Sequence, residues 1–156
     1  MSNFLVSREL NSGNVAFAAF LLDMHCLGVK NVVFDVVSRN GYDRHMASKL
    51  FHDEPMVKLA LEAARKLVEG AIEYANRIGL PPHRDYRKAK LIFGDIDAGS
   101  CDEQFVYGKD RKPLYIAGPK DSPSRCSHII GLLTERCSPD GFHYVMPLAG
   151  GAMVRS

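Results

Sequence analysis

The sequence predicts a single α+β domain, a mainly antiparallel sheet built from hairpins with helices packed on one face. Three observations predict it. The cluster Asn11, Ser12, Gly13 and Asn14 separates two extended segments, as a hairpin turn does. An apolar stripe recurs at three and four residues between positions 56 and 78, the period of a helix with one buried face. Two further short extended segments, 105–107 and 114–117, bracket the polar stretch GKDRKP and suggest a second hairpin.

The bulk numbers agree with one domain. The chain has 156 residues, 46% hydrophobic and 24% charged, the balance of a folded protein. Residues 1–148 are expected to form the domain and 149–156 a frayed tail. The formal net charge of +2 is too small to specify a polyanionic or membrane partner by itself. The most apolar stretch, 15–37, is interrupted by Asp23, His25, Lys30 and Asp35, which argues against a membrane span. Cys26, Cys101, Cys126 and Cys137 are far apart, with no C-x-x-C pair and no signal peptide before them. Reduced thiols in a cytoplasmic protein are the expectation.

Taken in order, residues 15–22 (VAFAAFLL) predict a strand buried on both faces. The segment 24–37 is broken by Gly28, and its valines favour extended structure or a short buried helix. Residues 41–51 suit a helix with Tyr42, Met46 and Leu50 on one face. A helix over 54–78 follows from Asp53 as N-cap, Pro55 in the first turn, and a stop at Gly79 before Pro81 and Pro82. Its stripe is Met56, Leu59, Ala63, Leu67, Ala71, Tyr74 and Ile78, with Glu54–Lys58 and Glu62–Lys66 as supporting pairs. A shorter helix runs from an Asp85 cap to Gly94. Ser122 and Pro123 announce another, with Ile129, Ile130 and Leu133 inward. Residues 142–146 close as a strand.

Several places can carry chemistry. The stretch LYIAGPKDSPSR, 114–125, runs strand, turn, helix start, and offers Lys120, Ser122 and Arg125 to an anion. It lacks Walker spacing, Asp121 opposes an anion, and capping alone explains Ser122 and Pro123. The acidic loop 94–103 presents Asp95 and Asp97 as oxygen ligands for a divalent metal such as Mg²⁺, although Asp is also an ordinary turn residue. Lys109, Arg111 and Lys112, flanked by Tyr107 and Tyr115, suit a nucleic-acid backbone with stacked bases, and Arg84, Arg87 and Lys88 extend that surface. The plainer alternative there is a solubilising loop tip. Cys126, His128, Cys137 and His143 can be combined into a zinc set only on paper, because residues two apart on a helix diverge. His25, two residues from Asp23, and His83 are candidate proton carriers, with a hydrogen-bonded histidine as the plainer role.

The phrases FLLDMHCLGVKN, GDID, YGKDRKPLYIAGPKDSPSR and PDGFHYVMPL together resemble a family of bacterial proteins of unknown function. The resemblance spans most of the chain, implies a bacterial cytosolic protein, and transfers no site or activity.

Three functions are compatible with these residues. The first is an intracellular binding module contacting nucleic acid or a nucleic-acid-associated protein, which needs a surface and no cofactor. The second is a metal-assisted phosphate-ester hydrolase, in which Asp95 and Asp97 hold the cation, Lys120, Ser122 and Arg125 the phosphate, and His25 or His83 a proton. The third is a structural assembly subunit that pairs through exposed strand edges.

Overall fold

The computed structural model describes residues 1–48, 58–147 and 153–155. The first hairpin forms as expected. Strands β1 (Ser2–Glu9) and β2 (Val15–Asp23) pair antiparallel, from Ser2 opposite Leu22 to Glu9 opposite Val15, with no break in register. Strand β3 (Gly28–Val37) pairs antiparallel on the other side of β2, with a bulge beside Leu21 and Leu22. The extended alternative for 24–37 is therefore the one adopted from Gly28 onward. Both Asp23 carboxylate oxygens hold the connecting turn, accepting from the His25 N–H (2.9 Å) and the Leu27 N–H (3.3 Å).

Alternation in β1–β3 sends Val6, Ala18, Phe20, Leu22 and Val32 to one face. They pack on Ala64, Val68 and Ala71 of α2 (Leu61–Arg77), and on Ile92 and Phe93. The last two belong to a 3₁₀ turn, Lys90–Phe93, that continues the short α3 (Tyr86–Ala89) and ends at Gly94. The closeness of α2 to the sheet depends on small residues. Gly28 has φ +65°, and a Cβ there would lie 3.0 Å from the Ala71 carbonyl oxygen and 3.1 Å from the Ala75 Cβ. Helix α1 (Arg39–Ser48) reaches the opposite face, where Tyr42 meets Phe17 with ring centroids 6.0 Å apart. The α+β class holds, and the sheet carries a helix on its second face as well.

Three expectations need correction. Helix α2 begins at Leu61, not at 54: Ala60 is its extended N-cap (ψ 148°), and residues 58–60 lie outside the helix. The cap signals Asp53, Glu54 and Pro55 lie outside the described residues, as do Leu50 and Met56. Lys66 does not pair with Glu62, because its ammonium donates to the Cys101 carbonyl (2.6 Å). The i,i+4 pairs that do form are Arg65–Glu69 and Glu73–Arg77.

The second correction concerns the hairpin expected over 105–117. Residues 105–107 are not a strand, and the loop closes only an isolated bridge between Lys109 and Lys112. Tyr107 instead turns to α2, stacking on Tyr74 and donating its hydroxyl to the Leu67 carbonyl (3.1 Å). Strand β4 (Leu114–Ile116) pairs in parallel with β5 (His143–Pro147), and α4 (Pro123–Cys137) joins the two as a β–α–β unit. Third, the frayed tail does not extend to Met153–Arg155, which form β6 antiparallel to β5.

A second core lies under this unit. Tyr115, Ile129, Leu133 and Phe142 pack with Cys26 and Leu27 from the β2–β3 turn and with Ala75 and Ile78 from the end of α2. The return from α4 to β5 is tight. Ser138 has φ +61°, and a Cβ on Gly141 would fall 1.5 Å from the Cys137 carbonyl oxygen. Among the described residues, no helix is long and apolar enough to cross a membrane.

Candidate functional site

The strand–turn–helix expected over 114–125 is present: β4 ends at Ile116 and α4 starts at Pro123. Ser122 is the N-cap, and its hydroxyl accepts from the Arg125 N–H (3.2 Å). Pro123 has no N–H to offer, and the Cys126 N–H donates to the Ser122 carbonyl (3.0 Å). The helix start is thus largely satisfied by its own chain, and Ser122 serves as a cap rather than as an anion ligand.

Asp121 lies at the centre of this turn, with its side chain only 7% exposed. It accepts from the Gly118 N–H (2.8 Å), the Tyr115 hydroxyl (3.1 Å) and the Arg125 guanidinium (3.1 Å), and Lys30 stands 3.8 Å away. Burial by itself raises the Asp121 carboxyl. The Gly118 N–H, the Lys30 charge, the Tyr115 hydroxyl and Arg125 outweigh that and hold it below its ordinary value. Tyr115 is shifted the opposite way, its phenol raised first by burial and then by Cys126 and Asp121.

Above this turn is a cleft of about 380 Å³. Its apolar side is Leu27, Val29 and Leu80, and its polar side is Lys30, His83, Lys120, Asp121 and Arg125. The segment carrying His83 is pinned to the sheet edge by its own N–H, which donates to the Val29 carbonyl (2.9 Å). The His83 Nδ1 accepts from the Asp85 N–H at 3.3 Å, while the Asp85 carboxylate is 3.6 Å from the same nitrogen. The cleft opens beside the carboxyl end of parallel β4, the end at which α/β units take ligands. Three cations there face one carboxylate.

The structure brings Lys120, Arg125 and His83 to one cleft and adds Lys30, which sequence reasoning missed. In the sequence Lys30 is a charge interrupting an apolar run, and the bulge in β3 that turns it toward Asp121 leaves no local trace there. Arg84, Arg87 and Lys88 are exposed on and just before α3, next in the chain to His83. The turn 109–112 lies elsewhere. The Gly108 N–H donates to the Met24 carbonyl, the His25 Nδ1 is 3.2 Å from the Gly108 carbonyl, and the Lys112 ammonium donates to the Asp140 carbonyl (2.8 Å). Asp110 and Arg111 both have positive φ, 52° and 65°, which leaves the Arg111 side chain exposed at the tip.

The stacking roles assigned to tyrosines meet a different geometry. Tyr115 is fully buried, and Tyr107 spends its ring on Tyr74 and its hydroxyl on α2. Tyr115 therefore offers no face to a base, whereas Tyr107 is half-buried with one partner ring. His25 is exposed and tied to the Gly108 carbonyl, away from His83. Asp97 caps the 3₁₀ turn Ala98–Ser100, accepting from the Gly99 N–H (2.8 Å). Asp95 is exposed, and neither aspartate lines the cleft. Among the described residues, no three His, Cys, Asp or Glu side chains converge as metal ligands, so Cys126, His128, Cys137 and His143 form no such set. Cys26 is fully buried, and burial, then Asp23 and Cys137, push its thiol up to about 12, well away from a nucleophile.

The class these features define is an α+β protein with a cationic cleft at the mouth of a β–α–β unit. Comparison of the chain with family models, with curated proteins and with solved structures finds no match.

Proposed function

We propose that this chain is a non-catalytic binding module that holds the phosphate backbone of a nucleic acid. The observation that carries the proposal is the convergence of Lys30, Lys120 and Arg125 on one cleft, with Arg84, Arg87 and Lys88 exposed on the adjoining segment. Charge spread over a cleft and a neighbouring helix suits a polyanion better than a single small anion. With Tyr115 buried and Tyr107 stacked on Tyr74, recognition rests on phosphates more than on stacked bases. Binding is then insensitive to base sequence and sensitive to salt.

The test is a titration of labelled single-stranded and duplex oligonucleotides at several salt concentrations. Lys120→Ala combined with Arg84→Ala is expected to lower the salt slope by about two units, one for each phosphate contact. Arg111→Ala, on the separate turn, leaves the slope unchanged. Absence of binding at low salt, or binding indifferent to salt, overturns the proposal.

A further inference from the structure

The two edges of the first sheet are finished differently. Leu10 directs both its N–H and its carbonyl toward the β2 side, to Asn14 (2.8 Å) and Gly13 (2.9 Å). Backbone groups alternate along an antiparallel pair, so Asn3, Leu5, Ser7 and Glu9 aim theirs away from β2. By the same alternation across β2, residues 32, 34 and 36 aim theirs outward from β3.

Edge β3 is guarded at two of its three outward residues by its own side chains. Asn31 Oδ1 accepts the Val32 N–H (2.9 Å), and Asp35 Oδ1 accepts the Val36 N–H (2.8 Å). The His83 N–H takes the Val29 carbonyl at the start of the strand. On β1, among the described residues, the outward N–H groups of Asn3, Leu5 and Ser7 meet no such side-chain cap. An edge of this kind templates another strand.

We propose that β1 pairs with β1 of a second copy, antiparallel about a two-fold axis at Leu5, joining two three-stranded sheets into one. The residue order identifies the occupant. Read outward from Leu5, the strand has the same polarity in both directions: Phe4 and Val6 apolar, Asn3 and Ser7 polar, Ser2 and Arg8 polar. Pairing at Leu5 sets Phe4 against Val6 of the second copy, Asn3 against Ser7, and Ser2 against Arg8. Centring on Val6 sets Phe4 against Arg8 and Leu5 against Ser7, a mismatch. The caps on β3 complete the case. A β1–β3 contact between copies repeats without end, whereas β1–β1 closes at two.

Two variants test this in the full chain. Leu5→Lys places like charges directly opposite each other across the axis. Ser7→Pro removes an outward N–H and leaves the β1–β2 ladder intact. Sedimentation is expected to give twice the 17.3 kDa chain mass for the unaltered protein and the single mass for both variants. Amide exchange adds the register: Asn3, Leu5 and Ser7 are protected only at high concentration, while Phe4 and Val6 are protected at every concentration. A chain that is monomeric throughout overturns the proposal. So does a dimer that survives both variants, or concentration-dependent protection that appears at Phe34 instead. None of these outcomes bears on oligonucleotide binding, which is read separately.

Discussion

Asp121 is held by a backbone N–H, a phenol and two cations. It holds Lys30 and Arg125 beside the cleft, where Lys120 is exposed. Its lowered carboxyl has a consequence for stability. A group whose folded pKa lies below its unfolded value contributes stability above the unfolded value, and that contribution is lost as pH falls through the folded one. Acid unfolding should therefore steepen below the ordinary Asp value of 3.8, and Asp121→Asn should show a shallower fall from a lower neutral-pH stability in thermal melts. Tyr115→Phe strips a buried donor from the same carboxylate and is expected to cost about 1–3 kcal/mol in denaturant unfolding. At this scale the sequence was partly legible. Ser122 and Pro123 announced their capping role, because a cap is a local device. Tyr115 and Lys30 did not, because burial of one and orientation of the other depend on α4, Asp121 and a bulge remote in the chain.

Among the elements, α2 is the shared wall between the two cores. Ala64, Val68 and Ala71 face the first, and Ala75 and Ile78 face the second. Its buried face is made of small side chains, so β2, β3 and the turn between them approach closely. Ala75→Leu forces added volume against Gly28 and is expected to cost about 1–3 kcal/mol by urea unfolding. The helix itself was readable from its period, and so was the β1–β2 hairpin from its turn cluster and alternation. The start of α2 was not, since the helix begins at Leu61 behind an extended Ala60 that has no capping side chain to announce it. The parallel partner of β4 was invisible for a different reason. A strand of three residues holds no local information about its neighbour, and the pairing is set by α4 packing over both strands.

The molecule as a whole is two small cores joined through α2 and the β2–β3 turn, with a cleft where the second unit meets the edge of the first sheet. Loss of packing in one core should be felt in the other. Ile129→Ala, deep in the second, is expected to lower global stability by about 2–5 kcal/mol and to raise amide exchange in α2 as well as in α4. The tight return from α4 to β5 also bears on inheritance. At codon 141 any side chain meets the Cys137 carbonyl, so even an alanine allele should behave as a loss of function, with the second sheet never assembled. At codon 131, in the same helix–strand unit, the glycine faces open space, and the alanine allele should be silent. A saturation screen would score these two glycines at opposite ends of its scale, although nothing in the bare letters tells them apart.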